Sequence, residues 1–196
     1  MHHRPKRAAS GVASCLASRV VLCLILSLAM AACTAADEPD RNALDEGAAL
    51  LAPFKRDLMA ALQEGLAQGP IEAIGACRIR APEIARALSR DGVRVGRSSH
   101  RLRNPENVAP EWAAPILDDL LADPENRAPR VASLPDGRIG YVEAIELKPL
   151  CATCHGVELA PALAARIEAL YPEDRAVGFE VGDLRGIFWV EMPARE

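Results

Sequence analysis

Residues 130–155, RVASLPDGRIGYVEAIELKPLCATCH, decide how this chain folds. Arg130 to Leu134 and Ile139 to Leu147 are two apolar-rich runs around the turn Pro135-Asp136-Gly137, which predicts a β-hairpin. The second strand leads directly into Cys151-Ala152-Thr153-Cys154-His155.

Working outward, helices precede the hairpin. Asn42 to Ala67 places Leu44, Leu50, Leu51, Phe54, Leu58, Leu62 and Leu66 at helical spacing, which predicts a long amphipathic helix. Gly69-Pro70 ends it, and Pro70 opens a second helix over Ile71 to Arg80. Pro82 kinks or restarts that helix, Ile84 to Ser89 continues it, and Asp91-Gly92 stops it. Val93 to Ser99 reads as a weak strand, Arg103 to Asn107 as a loop, and Pro110 to Ala122 as a helix containing Trp112. Beyond the C-x-x-C-H run, Pro161 to Tyr171 predicts a helix closed by Pro172. Ala176 to Glu180 and Leu184 to Met192 predict a last hairpin around Val181-Gly182-Asp183. Helices followed by antiparallel strands with helices inserted define an α+β class.

C-x-x-C-H is the attachment signature of a c-type haem. Two thiols two residues apart reach the two vinyl groups of one porphyrin, and the adjacent histidine supplies the proximal nitrogen to the iron. A thioredoxin-like pair would sit within a βαβ pattern, and none surrounds Cys151. A structural zinc site would need a second ligand pair, and the other histidines are His2, His3 and His100. The expected cofactor is therefore one covalent haem c, held by Cys151 and Cys154 with His155 on the iron. Small cytochromes c are nearly all helical with the motif near the mature N-terminus; this chain shares neither property.

Thioether attachment takes place outside the cytoplasm, and the N-terminus reads as an export signal. Residues 1–19 hold Arg4, Lys6, Arg7 and Arg19 and no acid, and an apolar run from Val20 to Ala32 follows. That run is too short to span a bilayer comfortably. Residues 1–32 are thus a signal peptide. Leu28-Ala29-Met30-Ala31-Ala32-Cys33 resembles a lipoprotein signal with Cys33 as the acylated residue, while Ala29-Met30-Ala31 equally suits simple release. With lipid at Cys33 and Thr34 following it, the expected location is periplasmic, tethered to the outer membrane. Residues 33–41 read as a flexible tether and 42–196 as one domain.

Losing Arg4, Lys6, Arg7 and Arg19 from 23 Lys and Arg leaves 19 against 27 acidic residues, a net charge of −8. That balance argues against nucleic acid and against an anionic membrane surface; the only expected membrane contact is the lipid. Of six cysteines, Cys15 and Cys23 leave with the signal, lipid takes Cys33, and haem takes two. Cys77 is left without an assignment in a compartment where pairs are usual.

The chain resembles the PAS-like mono-haem c-type domain family, long catalogued as a domain of unknown function. It occurs as stand-alone periplasmic proteins and as the outer sensor part of bacterial receptors. The resemblance rests on Cys77-Arg78-Ile79-Arg80-Ala81-Pro82-Glu83-Ile84-Ala85, Gly96-Arg97-Ser98-Ser99, and Arg103-Asn104-Pro105-Glu106-Asn107 with Trp112. It continues through Cys151 to Gly156, Tyr171 to Asp174, Ala176 to Phe179 and Gly182 to Gly186. It implies an antiparallel sheet of about five strands flanked by helices. It also implies iron held by His155 on one side and Cys77 on the other, and it suggests a homodimer through the long first helix, whose apolar stripe is equally explained by the domain's own core. His100 lies outside the family's pattern and is a rival sixth ligand; Met192, or an open position, are the remaining alternatives. Arg97, Arg101, Arg103 and Arg185 are candidates for the haem propionates.

The functional expectation is a redox- or gas-responsive haem sensor read by an unidentified periplasmic partner. The alternative is a low-potential electron carrier. A catalytic haem protein needs an open distal position that Cys77 would fill, so no enzyme activity is expected.

Overall fold

The computed structural model describes residues 38–194. The expected signal peptide over residues 1–32, Cys33 and most of the expected tether lie outside the described residues. The chain divides into two units, Met1–Arg41 and Asn42–Glu196, and the second holds the sheet and the cavity described below.

Helix α1 runs Glu38–Gln68, so helix replaces tether from Glu38 onward. Pro53 sits inside α1 without ending it. After a turn, Ala76–Arg80 forms one π-helical turn that passes into α2, Ala81–Leu88. A continuous α-helix was the expectation for Ile71 to Arg80. Pro82 explains the difference, because a proline ring collides with the carbonyl four residues before it and supplies no N–H. Widening the preceding turn relieves the collision.

The strands are β1, Arg94–Ser98; β2, Arg130–Ser133; β3, Ile139–Glu146; and β4, Leu184–Met192. They form one antiparallel sheet in the order β1-β4-β3-β2. Helices α3, Ala114–Ala122, α4, Pro149–His155, and α5, Pro161–Leu170, complete the α+β fold expected from the sequence.

Period-two alternation sends opposite faces of the two central strands into different cores. Tyr141, Val190 and Met192 pack with Leu51 and Phe54 of α1 and Ile84 of α2. Val142 and Ile187 pack with Leu117 and Leu120 of α3 on the other side. α1 approaches the sheet so closely that a Cβ on Gly47 would run into the Tyr141 ring. A buried carboxylate, Glu191, closes one end of the sheet. It accepts from Arg138 at 2.6 Å, Arg94 at 3.1 Å and the Trp112 indole at 3.0 Å.

Among the described residues four strands stand where about five were expected. The missing one is Ala176 to Glu180, which meets Gly156 only through an isolated parallel bridge at Phe179. Its backbone groups are spent elsewhere. The carbonyls of Ala176, Val177 and Gly178 accept from His155, Arg103 and Arg101, and the N–H groups of Gly178 and Phe179 donate to Gly156 and His155. A segment so engaged cannot also pair as a strand.

Candidate haem site

The C-x-x-C-H run is folded as α4. Pro149 starts it at the first helical turn, and the Gly156 N–H closes it on the Ala152 carbonyl. Two small cores hold it. Cys151 and Ala152 pack against Leu147, Ala176 and Phe179. Cys154 packs against Ile74, Leu163 and Ile167. Since Ile74 is three residues from Cys77, the second core links the π-turn to α4.

His155 is oriented by one strong contact. Its Nδ1 lies 2.6 Å from the Ala176 carbonyl oxygen, which can only accept. Nδ1 therefore carries the proton and Nε2 keeps its lone pair, the tautomer a metal-bound imidazole needs. Burial, followed by the fields of Arg185 and Arg103, holds the His155 pKa well below the ordinary histidine value. The ring is neutral at neutral pH.

Arg103 ties this arrangement to the chain around it. It forms an ion pair with Asp174 at 3.0 Å, with both side chains buried, and donates to the Cys154 carbonyl at 2.6 Å. A cation on the last carbonyls of a short helix also complements its dipole. Asp174 accepts from the Ala176 N–H at 2.8 Å, which fixes the carbonyl that orients His155.

A cavity of about 550 Å³ opens over α4. Cys151, Cys154 and His155 line one part of it, and Cys77 and Arg97 line it too. Leu58, Leu62 and Leu66 of α1 and Phe188 of β4 supply apolar wall. The expected site residues thus come together from segments far apart in sequence. His100 does not line the cavity; it is exposed and meets the Phe179 ring edge-on at 5.7 Å. Met192 is buried in the α1 core. Arg101 also lies off the cavity, and its guanidinium is spent on the carbonyls of Arg175, Val177 and Gly178.

The donors suit a large flat group better than a bare ion. Among the described residues, no three His, Cys, Asp or Glu side chains converge closely enough to hold one metal ion. All three described cysteines are free thiols. Burial pushes the Cys154 thiol above its usual pKa, so it is protonated. The cavity's volume falls in the range of cofactor pockets. Its charge is also unbalanced. Glu143 and Glu146 on its rim are paired with Lys55 and Lys148, and Arg103 with Asp174. Arg97 and Arg185 have no carboxylate partner among the described residues, and the Nε of Arg185 is buried without any hydrogen-bond partner. Burial, then Arg97 and Arg103, depress the Arg185 pKa to about 10. Two uncompensated guanidiniums on an apolar cavity are what a ligand carrying two carboxylates would satisfy.

The molecule is thus an α+β domain built around a cofactor-sized cavity, with two thiols and an oriented imidazole on one helix. The chain belongs to the Tll0287-like family, whose model matches residues 30–193. Among solved structures it is similar to the cyanobacterial heme-protein Tll0287, with a TM-score of 0.60 and 24% identity over 79% of this chain and 97% of that one. That likeness is one of fold. No curated protein matches the chain.

Sequence reasoning gave no role to Asp174 or Ser99. Ser99 accepts from Arg185 at 2.7 Å and donates to the Arg185 carbonyl at 2.6 Å. Both roles are contacts across more than 70 residues, which no local pattern announces.

Proposed function

We propose that this chain is an exported mono-haem c-type protein that senses redox state or a small gas. Cys151 and Cys154 would form the thioethers, His155 would bind the iron through Nε2, and Cys77 would bind it from the other side. The observation that carries the reading is that one cavity gathers Cys77 with Cys151, Cys154 and His155, while Arg97 and Arg185 line it without carboxylate partners among the described residues. The haem carboxylates would supply those charges.

When bound, haem supplies one-electron chemistry and an iron that takes exogenous ligands. The protein's part is to present and withdraw ligands. His155 is fixed by the Ala176 carbonyl and by the Arg103–Asp174 pair behind it. Cys77 stands on a π-helical turn, a local irregularity that is often functional. With haem bound, Cys77 would be the thiol donor to the iron, and an external one-electron reductant would weaken that hold, since thiolate ligation favours the ferric state. Departure of Cys77 would open a position for CO or NO and let the turn relax, a local event with a structural readout.

Export, lipidation of Cys33 and an outer-membrane location complete the proposal. They are checked by labelling cells with a fatty acid and comparing the native chain with C33A. Among the described residues, no helix is long and apolar enough to cross a membrane.

The function is tested by expressing the full chain with haem-maturation enzymes and recording oxidised and reduced spectra with and without CO. Covalent haem whose reduced form binds CO is the expected result. A site that stays six-coordinate and ignores CO in both states would replace the sensor with an electron carrier. No covalent haem would end the proposal.

A further inference from the structure

The π-turn leaves one backbone acceptor without a partner of its own. In the π register the Ala81 N–H bonds the Ala76 carbonyl. The next donor in that ladder, due to the Cys77 carbonyl, is residue 82, a proline with no N–H. Arg97, reaching across from β1, fills the gap: its Nη2 donates to the Cys77 oxygen at 3.1 Å. Its other terminal nitrogen, Nη1, lies 4.0 Å from the Cys77 Sγ, the outer limit of a hydrogen bond to sulfur. One guanidinium fork therefore spans the carbonyl and the thiol of the same residue.

Cavities adjoin that half-buried thiol. Cys77 and Arg97 line the large cavity and also a second one of about 250 Å³, bounded by Ala81, Ala85, Val95 and Trp189. The turn thus stands as a partition with open volume on both sides. A side chain so placed is held by its polar anchors, since the interlocking contacts of a close-packed interior are missing.

We infer that Arg97 is the positioning residue of Cys77. It anchors the turn through the backbone carbonyl and steadies the sulfur as an axial ligand, setting how readily that ligand is displaced. The inference rests on the haem reading above, with Cys77 as the second ligand. It adds that the fork of Arg97, beyond its positive charge, is what the site requires. Lysine cannot reproduce this, because its single ammonium cannot span both atoms.

The test is displacement of Cys77 by cyanide in the oxidised, haem-loaded full chain, followed by stopped-flow absorbance. R97M is expected to raise the displacement rate at least about tenfold, the scale of one lost charge-assisted hydrogen bond. R97K, which preserves charge and stem and is the gentler change for folding, is expected to fall between R97M and the native protein. C77S separates the two layers of the argument. If C77S leaves the spectrum and the cyanide rate unchanged, Cys77 is no ligand and the underlying reading fails. If C77S alters both while R97M stays within twofold of native, that reading stands and the role of Arg97 is refuted. An R97K rate equal to the native one refutes the fork. So does an equal acceleration by R97M in the C77S background, where coupling should vanish.

Discussion

Buried charge is handled in opposite ways at the two ends of this domain. At one end of the sheet the Glu191 carboxylate is buried, yet Arg138, Arg94 and the Trp112 indole satisfy it. At the cavity Arg185 keeps a buried N–H with no partner, and neither it nor Arg97 meets a carboxylate. A buried polar group left unmatched costs about 1–3 kcal/mol, so a fold carries one only where something else repays it. The saturated network belongs to the fold. On the haem reading proposed above, the unsaturated one would be completed by the carboxylates of the bound group.

The sharpest way to break this contrast is at Glu191. Glu191→Ala removes the acceptor shared by Arg94, Arg138 and the Trp112 indole and leaves those three donors without it. A loss of about 3 kcal/mol in denaturant unfolding is expected, with haem attachment and spectrum unchanged. A stability change below about 1 kcal/mol would show that the network contributes little.

Arg185→Met should behave in the reverse sense. It discards an unsatisfied buried donor together with the hydrogen bond to Ser99, and the two effects offset, so the haem-free chain is expected to keep its stability within about 1 kcal/mol. The haem-loaded chain should lose part of the thermal protection that the bound group gives. Equal losses in both forms would place Arg185 among the fold residues.

The smallest effect is expected at His100. Desolvation, then Arg101 and Arg185, lower its pKa below 6.5 in the folded protein. Its neutral form is therefore the one that folding favours. Its contribution is present above the unfolded pKa and is lost as pH falls from about 6.5 through the lowered folded value. His100→Gln should flatten that acidic limb of Tm against pH and leave the visible spectrum unaltered. A changed spectrum would return His100 to the iron.

Much of this fold is legible in local pattern. The turn Pro135-Asp136-Gly137 between alternating runs became β2 and β3, and the leucine spacing of α1 survived Pro53 because that helix buries its apolar stripe against the sheet. The C-x-x-C-H run stands out in sequence by its spacing; the structure adds that it folds as α4 and that Cys151, Cys154 and His155 line the cavity. Two elements were not readable. The π-turn at Cys77 depends on Pro82, whose effect could have been a kink or a restart. Ala176 to Glu180 has strand-like composition, but the distant side chains of Arg101, Arg103 and His155 and the backbone carbonyls of His155 and Gly156 take its polar groups away from the sheet. Arg101 was likewise grouped with Arg97 and Arg185 as a cavity residue, since nothing in sequence says that it turns away to the carbonyls of residues 175–178.

The central claim is that Cys77 and His155 hold one covalently attached haem from opposite sides. Electron paramagnetic resonance of the oxidised full chain, native against C77S, tests it most directly. The account predicts a low-spin thiolate signal in the native protein that disappears in C77S while the haem stays covalently bound. The same signal in both proteins, or no covalent haem in the native one, would contradict it.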